Sequence, residues 1–192
     1  MLSSGRSLQA VQYKPFHITL SDSFCDRIIK ENESLDIIDG TVESKDKNRR
    51  SSKISWVPKD KFLIIHQELK KCIDSSNKIY NFSLHEFESL QYSRYEEGDH
   101  YDWHIDTHSK PYHNGMIRKL SFTLCLNDEY EGGDFEICYP HPILDKTKRG
   151  ETFKLKKGEM IVFPSHTWHK VNKVTKGIRK TLVGWVVGSQ WK

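Results

Sequence analysis

The chain has 192 residues, of which 36% are hydrophobic and 29% charged, with a formal net charge of +4; this length leaves room for one domain with a sizeable core. Its apolar residues fall in short, often alternating runs, which excludes a disordered chain, and the longest, FLII and MIVF, fall far short of the roughly 18 residues needed to cross a bilayer. The positive balance is small and its Lys and Arg residues are dispersed, so neither nucleic acid nor a membrane is expected as a partner.

The start, MLSSGRSLQA, lacks the apolar stretch of a secretory signal, which makes the cytoplasm the expected compartment. Cys25, Cys72, Cys125 and Cys138 are scattered without a CxxC pair, so free thiols are expected. In chain order, a strand near 14–19 leads to a helix that starts at an N-cap on Ser21 or Ser23 and runs to about Glu31. The densest basic run, SKDKNRRSSK at 44–53, contains an acid and reads as a solvated loop. Helical spacing of Phe62, Ile65, Leu69, Cys72 and Ile73 predicts a second helix from Lys59 to about Ser75, with those residues in the core.

From about His85 the pattern changes to short alternating runs separated by Gly, Asn or Asp turns. Strands are expected at 86–95, 100–106, 118–127, 133–138, 151–155, 159–163, 167–174 and 178–187. LKKGEM and VTKGIRK read as hairpin turns in which Gly158 and Gly177 supply positive φ. Short strands following two helices predict a mostly β chain with buttressing helices, a double-stranded β-helix or jelly roll. One domain over residues 1–192 is expected, with the strand and helices at about 14–80 and the jelly-roll core at about 85–188.

The stretch YEEGDHYDWHIDTH, residues 95–108, suggests a metal site. Alternate residues of a strand share a face about 6.6–6.8 Å apart, so His104 and Asp106 can converge on one ion. His108 shares their parity but would lie about 13 Å from His104 along a straight strand, too far for a third bond of about 2 Å. The third ligand is therefore sought downstream, among His141, His166 and His169. His141 lies between prolines and His166 in a turn, whereas His169 opens an alternating strand and is the choice. Two His and one carboxylate form a facial set with open positions, associated with non-haem Fe(II) oxygenases.

Ten residues after His169, on the next expected strand, Arg179 can reach the same cavity and grip a carboxylate with two prongs. Fe(II), Asp106, a dicarboxylate and Arg179 together carry no net charge, which favours 2-oxoglutarate, because burying an uncompensated charge is costly. Trp103 and Ile105 point away from the ligands and read as packing. Trp185 shares parity with Arg179 and is expected to back the cosubstrate pocket.

These residues, with YSRYEEGDHYDWHID, RKLSFTLCLNDEYEGGDFEI and LKKGEMIVFPSHTWHKVNKVTKGIRKTLVGWV, resemble the 2-oxoglutarate- and Fe(II)-dependent dioxygenases, and among them the prolyl-4-hydroxylase-like group. Upstream, RRSSKISWV is similar to that group's loop and strand before its second helix. The resemblance runs from about Phe16 to Val187 and implies that His104, Asp106 and His169 hold iron and that Arg179 holds the distal carboxylate of 2-oxoglutarate. It also implies that Tyr95 lines the cosubstrate pocket. Cys125 departs from the pattern: some relatives carry a cosubstrate-contacting tyrosine there, and the smaller residue would widen the pocket or leave that contact to water.

What the resemblance implies chemically is hydroxylation of an unactivated C–H bond by O2, with 2-oxoglutarate converted to succinate and CO2 and with ascorbate as a possible auxiliary. A peptidyl proline or another amino acid is the expected substrate. The rival within the superfamily, a nucleic-acid demethylase, typically carries a second arginine where this chain has Trp185; a zinc-binding cupin-like module would leave Arg179 without a purpose. The segments 44–53 and 107–117 are expected to border the mouth of the site, where their basic residues would favour an acidic partner and where His108 and Tyr112 are candidates for substrate contact.

Overall fold

The computed structural model describes residues 14–33, 35–40, 49–57, 63–108, 110–139 and 150–191. Strand β1 (Phe16–Thr19) leads into helix α1 (Asp22–Asn32), whose N-cap is Ser21: its Oγ accepts from the Phe24 N–H at 3.3 Å. This satisfies one of the donors that a helix start leaves open. Three short strands follow, β2 (Ile38–Asp39), β3 (Arg50–Ser51) and β4 (Lys53–Val57), and then helix α2 (Leu63–Tyr80). The expected helical face is buried at Ile65, Leu69, Cys72 and Ile73, and it continues through Ser76 to Tyr80, one turn past the expected end. The Tyr80 hydroxyl lies 2.9 Å from the backbone carbonyl oxygens of both Lys14 and Val162, which share its one proton, so the buried phenol has an acceptor in the core. The expected start of this helix and Phe62 lie outside the described residues.

The remaining strands are β5 (Glu86–Phe87), β6 (Leu90–Tyr95), β7 (His100–His104), β8 (Met116–Cys125), β9 (Tyr130–Gly132), β10 (Phe135–Cys138), β11 (Glu151–Phe153), β12 (Glu159–Pro164), β13 (Trp168–Val171), β14 (Val174–Gly177) and β15 (Arg179–Ser189). A large antiparallel sheet runs β1-β12-β8-β15-β6-β4-β2, with β5 also paired to β15, and a smaller one runs β11-β10-β13-β7-β3. Their facing sides share a core that includes Tyr95, Cys125, Ile161 and Phe163 from the large sheet and Phe135, Ile137 and Val171 from the small one. The opposite face of the large sheet, with Leu120, Phe122, Leu124, Met160 and Val162, packs on Cys25 and Ile28 of α1 and Ile65, Leu69 and Ile73 of α2. This is the jelly roll with buttressing helices that the pattern predicts. It explains why MIVF in β12 is apolar without alternation: both faces of that strand are covered.

Several boundaries differ from the sequence reading. The run 86–95 breaks at Glu88, whose N–H donates to the Trp185 carbonyl oxygen at 2.9 Å while its carboxylate turns to Arg118. The run 100–106 ends as a strand at His104, because the N–H groups of Asp106 and Thr107 both turn to the Ser165 carbonyl oxygen. The run 167–174 divides, since Val174–Gly177 pairs with β9 in a separate two-stranded sheet instead of forming a simple turn. Residues Arg50–Lys53 are not a solvated loop: Arg50 and Ser51 pair with Tyr101 and His100 at the edge of the small sheet. The described part of 44–53 thus corresponds to the strand that RRSSKISWV implies, and residues 44–48 lie outside the description. No described helix is long and apolar enough to cross a membrane.

Gly158 and Gly177 have φ of 84° and 75°, as the turn chemistry requires. Neither turn closes a hairpin, since β11 and β12 lie in different sheets and β14 pairs with β9 and not with β15. A Cβ on Gly158, in the turn from β11 to β12, would also come within 2.3 Å of the Leu20 carbonyl oxygen, where the Leu20 N–H donates to the Gly158 carbonyl oxygen at 2.8 Å. Gly158→Ala is therefore expected to lower the unfolding free energy by about 1–3 kcal/mol in urea denaturation. Gly98→Ala, at φ 90° with open space around the added methyl, should lose less; equal losses would show that the contact with Leu20 is irrelevant.

Candidate metal and cosubstrate site

His104 and His169 are direct partners across β7 and β13, so two strands 65 residues apart in sequence present their imidazoles side by side, with ring centroids 4.1 Å apart. Asp106 comes from the bend after β7. Its carboxylate oxygens lie 3.8 Å from His104 Nε2 and 3.5 Å from His169 Nε2. The ligand atoms of all three residues fall within 4.8 Å of one another, the one such cluster among the described residues that could hold a metal ion. The third member of the cluster thus comes from β13, as the straight-strand distance argument expects of a site that includes His104.

The imidazoles are aimed by backbone carbonyls two residues earlier. His104 Nδ1 lies 2.8 Å from the Asp102 oxygen and His169 Nδ1 lies 2.9 Å from the Thr167 oxygen. A carbonyl can only accept, so each Nδ1 carries a proton and each Nε2 is the ring atom turned toward Asp106, the arrangement that metal ligation needs. The His104 pKa is lowered well below its ordinary value, first by burial and then by His169, which keeps that ring neutral. Burial opposes ionisation of Asp106, but His169, His104 and Arg118, with a hydrogen bond from Ser121, outweigh it and hold the carboxyl at about 2. Two imidazoles and one carboxylate are a donor set that fits Fe(II). Tyr101 stacks on His104 at 3.5 Å, while Phe135 and Phe163 flank His169, so aromatic walls limit access to the ligands.

The triad opens on a cavity of about 1050 Å³ that Arg179, Tyr95, Thr181 and Trp185 also line. Arg179 is 1% exposed, its guanidinium lies 5.4 Å over the Tyr95 ring, and its Nε has no hydrogen-bond partner. The Thr181 hydroxyl, two residues along the same face of β15, is likewise buried and unpartnered. A buried guanidinium with an unpartnered Nε, beside the Tyr130 hydroxyl, and an unpartnered buried threonine hydroxyl fit the distal carboxylate of a dicarboxylic acid. Thr181 was not singled out from sequence, although its period-two spacing from Arg179 is a usable signal.

The other expected residues fall as follows. Trp185 is on the cavity wall beneath Arg118, whose guanidinium lies 4.0 Å above its ring, and its Nε1 is buried without a partner. Cys125 does not line the cavity: its thiol is buried, 3.3 Å from the Tyr130 hydroxyl, so that phenol occupies the space left by the small side chain and the anticipated widening does not follow. Ile105, expected to pack, is 37% exposed and lines the cavity, because the strand has already ended and its parity no longer holds. Trp103 keeps a packing position, with Lys170 Nζ 5.0 Å over its ring. His108 and Tyr112 sit at the rim, their rings 5.6 Å apart, and His166 lies against Trp191. His141 lies outside the described residues.

A jelly roll with a buried His-Asp-His cluster that could hold a metal ion, beside a buried arginine with an open Nε, is the arrangement expected of an iron-dependent oxygenase. Residues 90–187, a little over half of the chain, match the 2OG-Fe(II) oxygenase superfamily, and the chain belongs to it. It is 34% identical over 125 residues to a PKHD-type hydroxylase of Synechococcus sp., covering 64% of this chain and 52% of that protein. With a PKHD-type hydroxylase of Picosynechococcus sp. it shares 39% identity over 100 residues, 51% of this chain and 41% of that protein. The chain thus spans about half or less of the length of these curated relatives. In fold it is similar to the viral collagen prolyl hydroxylase of Paramecium bursaria Chlorella virus-1, with a TM-score of 0.67, 23% identity and coverage of 91% of this chain and 96% of that one. A Pseudomonas putida prolyl-4-hydroxylase gives a TM-score of 0.65 at 18% identity, with 92% and 93% covered.

The cluster geometry makes a direct test possible. Asp106→Ala is expected to abolish the binding of one Fe(II) per chain, because two imidazoles hold a hard divalent ion poorly. His108→Ala should keep it. Metal analysis of the two purified variants checks both outcomes, and iron retained without Asp106 would rule out this ligand set.

Proposed function

We propose that the protein is an Fe(II)- and 2-oxoglutarate-dependent hydroxylase acting on a C–H bond of a peptidyl proline or another amino acid. The observation that carries this reading is Arg179, a fully buried guanidinium with an unpartnered Nε in the same cavity as the His-Asp-His cluster. When bound, iron, 2-oxoglutarate and O2 supply the oxidation, leaving succinate, CO2 and a hydroxylated product. The chain's own residues would position these components. His104 and His169 would present their Nε2 atoms, and Asp106 would give the single anionic ligand. Arg179 and Thr181 would receive the distal carboxylate of the cosubstrate, with the Tyr95 ring beneath the guanidinium. Phe135 and Phe163 keep water from the His169 side of the site.

The prolyl and amino-acid part of the reading is supported by the names of the relatives and fold neighbours, among them a Trichoplax adhaerens prolyl hydroxylase in complex with a hypoxia inducible factor peptide fragment. A cytoplasmic location in one domain completes the proposal; the four cysteines are free and buried, which suits a reducing compartment.

Arg179→Gln separates cosubstrate from metal. The variant should retain iron, since the side chain is not a ligand, yet bind 2-oxoglutarate more weakly by about 2–5 kcal/mol, the usual cost of removing one partner of a buried charge pair. Lys should rescue part of the loss, restoring charge without the two-pronged geometry. Unchanged 2-oxoglutarate affinity in the Gln variant would move the anchor elsewhere. Gain of one oxygen atom by a peptide or amino acid, dependent on both Fe(II) and 2-oxoglutarate in mass spectrometry, is the expected activity.

A further inference from the structure

Two guanidinium groups are more than nine-tenths buried on the wall of this cavity, Arg179 from the large sheet and Arg50 from the edge of the small one. Arg50 is 7% exposed, and no carboxylate pairs with it among the described residues. Its Nε donates to Ser52 Oγ at 2.9 Å, and its guanidinium carbon lies 4.7 Å from the centre of the Tyr101 ring, which in turn stacks on the ligand His104. Gly40 backs it so closely that a Cβ there would come within 2.9 Å of Arg50 Nε. The cation is thus held in place by a hydroxyl, a ring face and a glycine, one aromatic ring away from the metal cluster, and none of these neutralises it. A buried charge with no carboxylate beside it among the described residues is costly, which favours an anionic partner in the cavity.

The other cations of the cavity sharpen the assignment. Arg118 is already neutralised by Glu88, with contacts of 2.6–3.1 Å. Arg179 is accounted for by the cosubstrate. Arg49 and Lys110 are exposed on the lining and add positive charge, against Asp39 as the one acidic residue of the described lining besides Asp106. The lining also carries apolar side chains, Ile38, Ile54 and Trp56 among them. Such a surface suits a saturated carbon skeleton, whose C–H bond would be held beside the cluster.

We propose that the substrate carries a carboxylate and that Arg50 binds it, fixing the carbon to be oxidised against the iron site. This inference rests on the hydroxylase reading above and narrows its substrate to acids: an amino acid with a free α-carboxylate, or a peptide with an acidic residue next to the target. Arg50 is then a specificity-determining residue, and the Tyr101 ring couples its position to His104.

The test is calorimetric titration of the anaerobic protein saturated with Fe(II) and 2-oxoglutarate, so that Arg179 is already occupied. Three probes are used: N-acetyl-L-proline, the amide of N-acetyl-L-prolyl-L-aspartate, and N-acetyl-L-prolinamide. At least one acid is expected to bind about tenfold or more tightly than the neutral amide, the effect of a charge-assisted hydrogen bond. Which acid it is tells a terminal carboxylate from a side-chain one. Arg50→Gln should remove the preference and Arg50→Lys should keep part of it. Equal binding of acids and amide, no binding of either acid at millimolar concentration, or a preference that survives in Arg50→Gln would overturn the inference. Titration with 2-oxoglutarate alone distinguishes the two levels: if the parent protein fails to bind it, the hydroxylase reading falls, and if it binds normally while the acid preference is missing, only the role of Arg50 falls.

Discussion

The register between β7 and β13 is the constraint on which the site depends. It sets His104 opposite His169, and because side chains alternate across a strand, a slip of one residue would turn either imidazole to the other face of the sheet. The core on that face resists such a slip. Phe135, Ile137 and Val171 of the small sheet are packed against Ile161 and Phe163 of the large one, so moving β13 would expose Val171 as well as displace His169. Packing that has nothing to do with chemistry thereby holds two ligands in place.

The same register makes Asp106 work from outside the strand. If β7 continued regularly past His104, the carboxylate would stand about 6.6–6.8 Å along the sheet from the imidazole's attachment point. Instead the chain bends, anchored by the N–H groups of Asp106 and Thr107 on the Ser165 carbonyl oxygen, and the carboxylate comes within 4 Å of both Nε2 atoms. Ser165 in turn bonds Ser121 through their hydroxyls at 2.9 Å, and its N–H bonds the Lys119 carbonyl oxygen. The bend is therefore tied to β8 in the large sheet, and closing the two sheets together is what completes the ligand set.

Much of this was legible in sequence because it follows short-range rules. The serine cap of α1, the buried face of α2, the glycine turn before β12 and the His-x-Asp pair each announce themselves within a few residues. The choice of His169 over His166 followed from strand order, whereas Arg179 reaches the cavity from β15 in the large sheet and not, as expected, from a neighbour of the strand that carries His169, because β14 intervenes. What was not legible depends on partners far away in the chain. Nothing local marks the end of β7 at His104, since it is Ser165, some 60 residues later, that turns the backbone. Arg50 sits in a run whose composition is that of a solvated loop, and only pairing with β7 buries it. The Cys125 position looked like a gap because Tyr130, which fills it, arrives from another strand.

The two buried arginines also differ in how the protein tolerates them without a ligand. Arg179 enters the fold as the first residue of the longest strand, β15, opposite Tyr95, and is surrounded by the large sheet. Its burial is enforced by a strand paired along its length on β6 and β8, so the position of the charge is fixed whatever occupies the cavity. Arg50 belongs to a two-residue strand at the edge of the small sheet, where pairing on one side alone supports it. An edge strand that short has little stability of its own, and what orders its guanidinium is the stack on Tyr101 and His104. Occupation of the metal site would fix His104, and through it the ring on which Arg50 rests. The fold thereby holds one guanidinium through a strand paired on both sides and the other through a serine hydroxyl, a ring face and a close glycine.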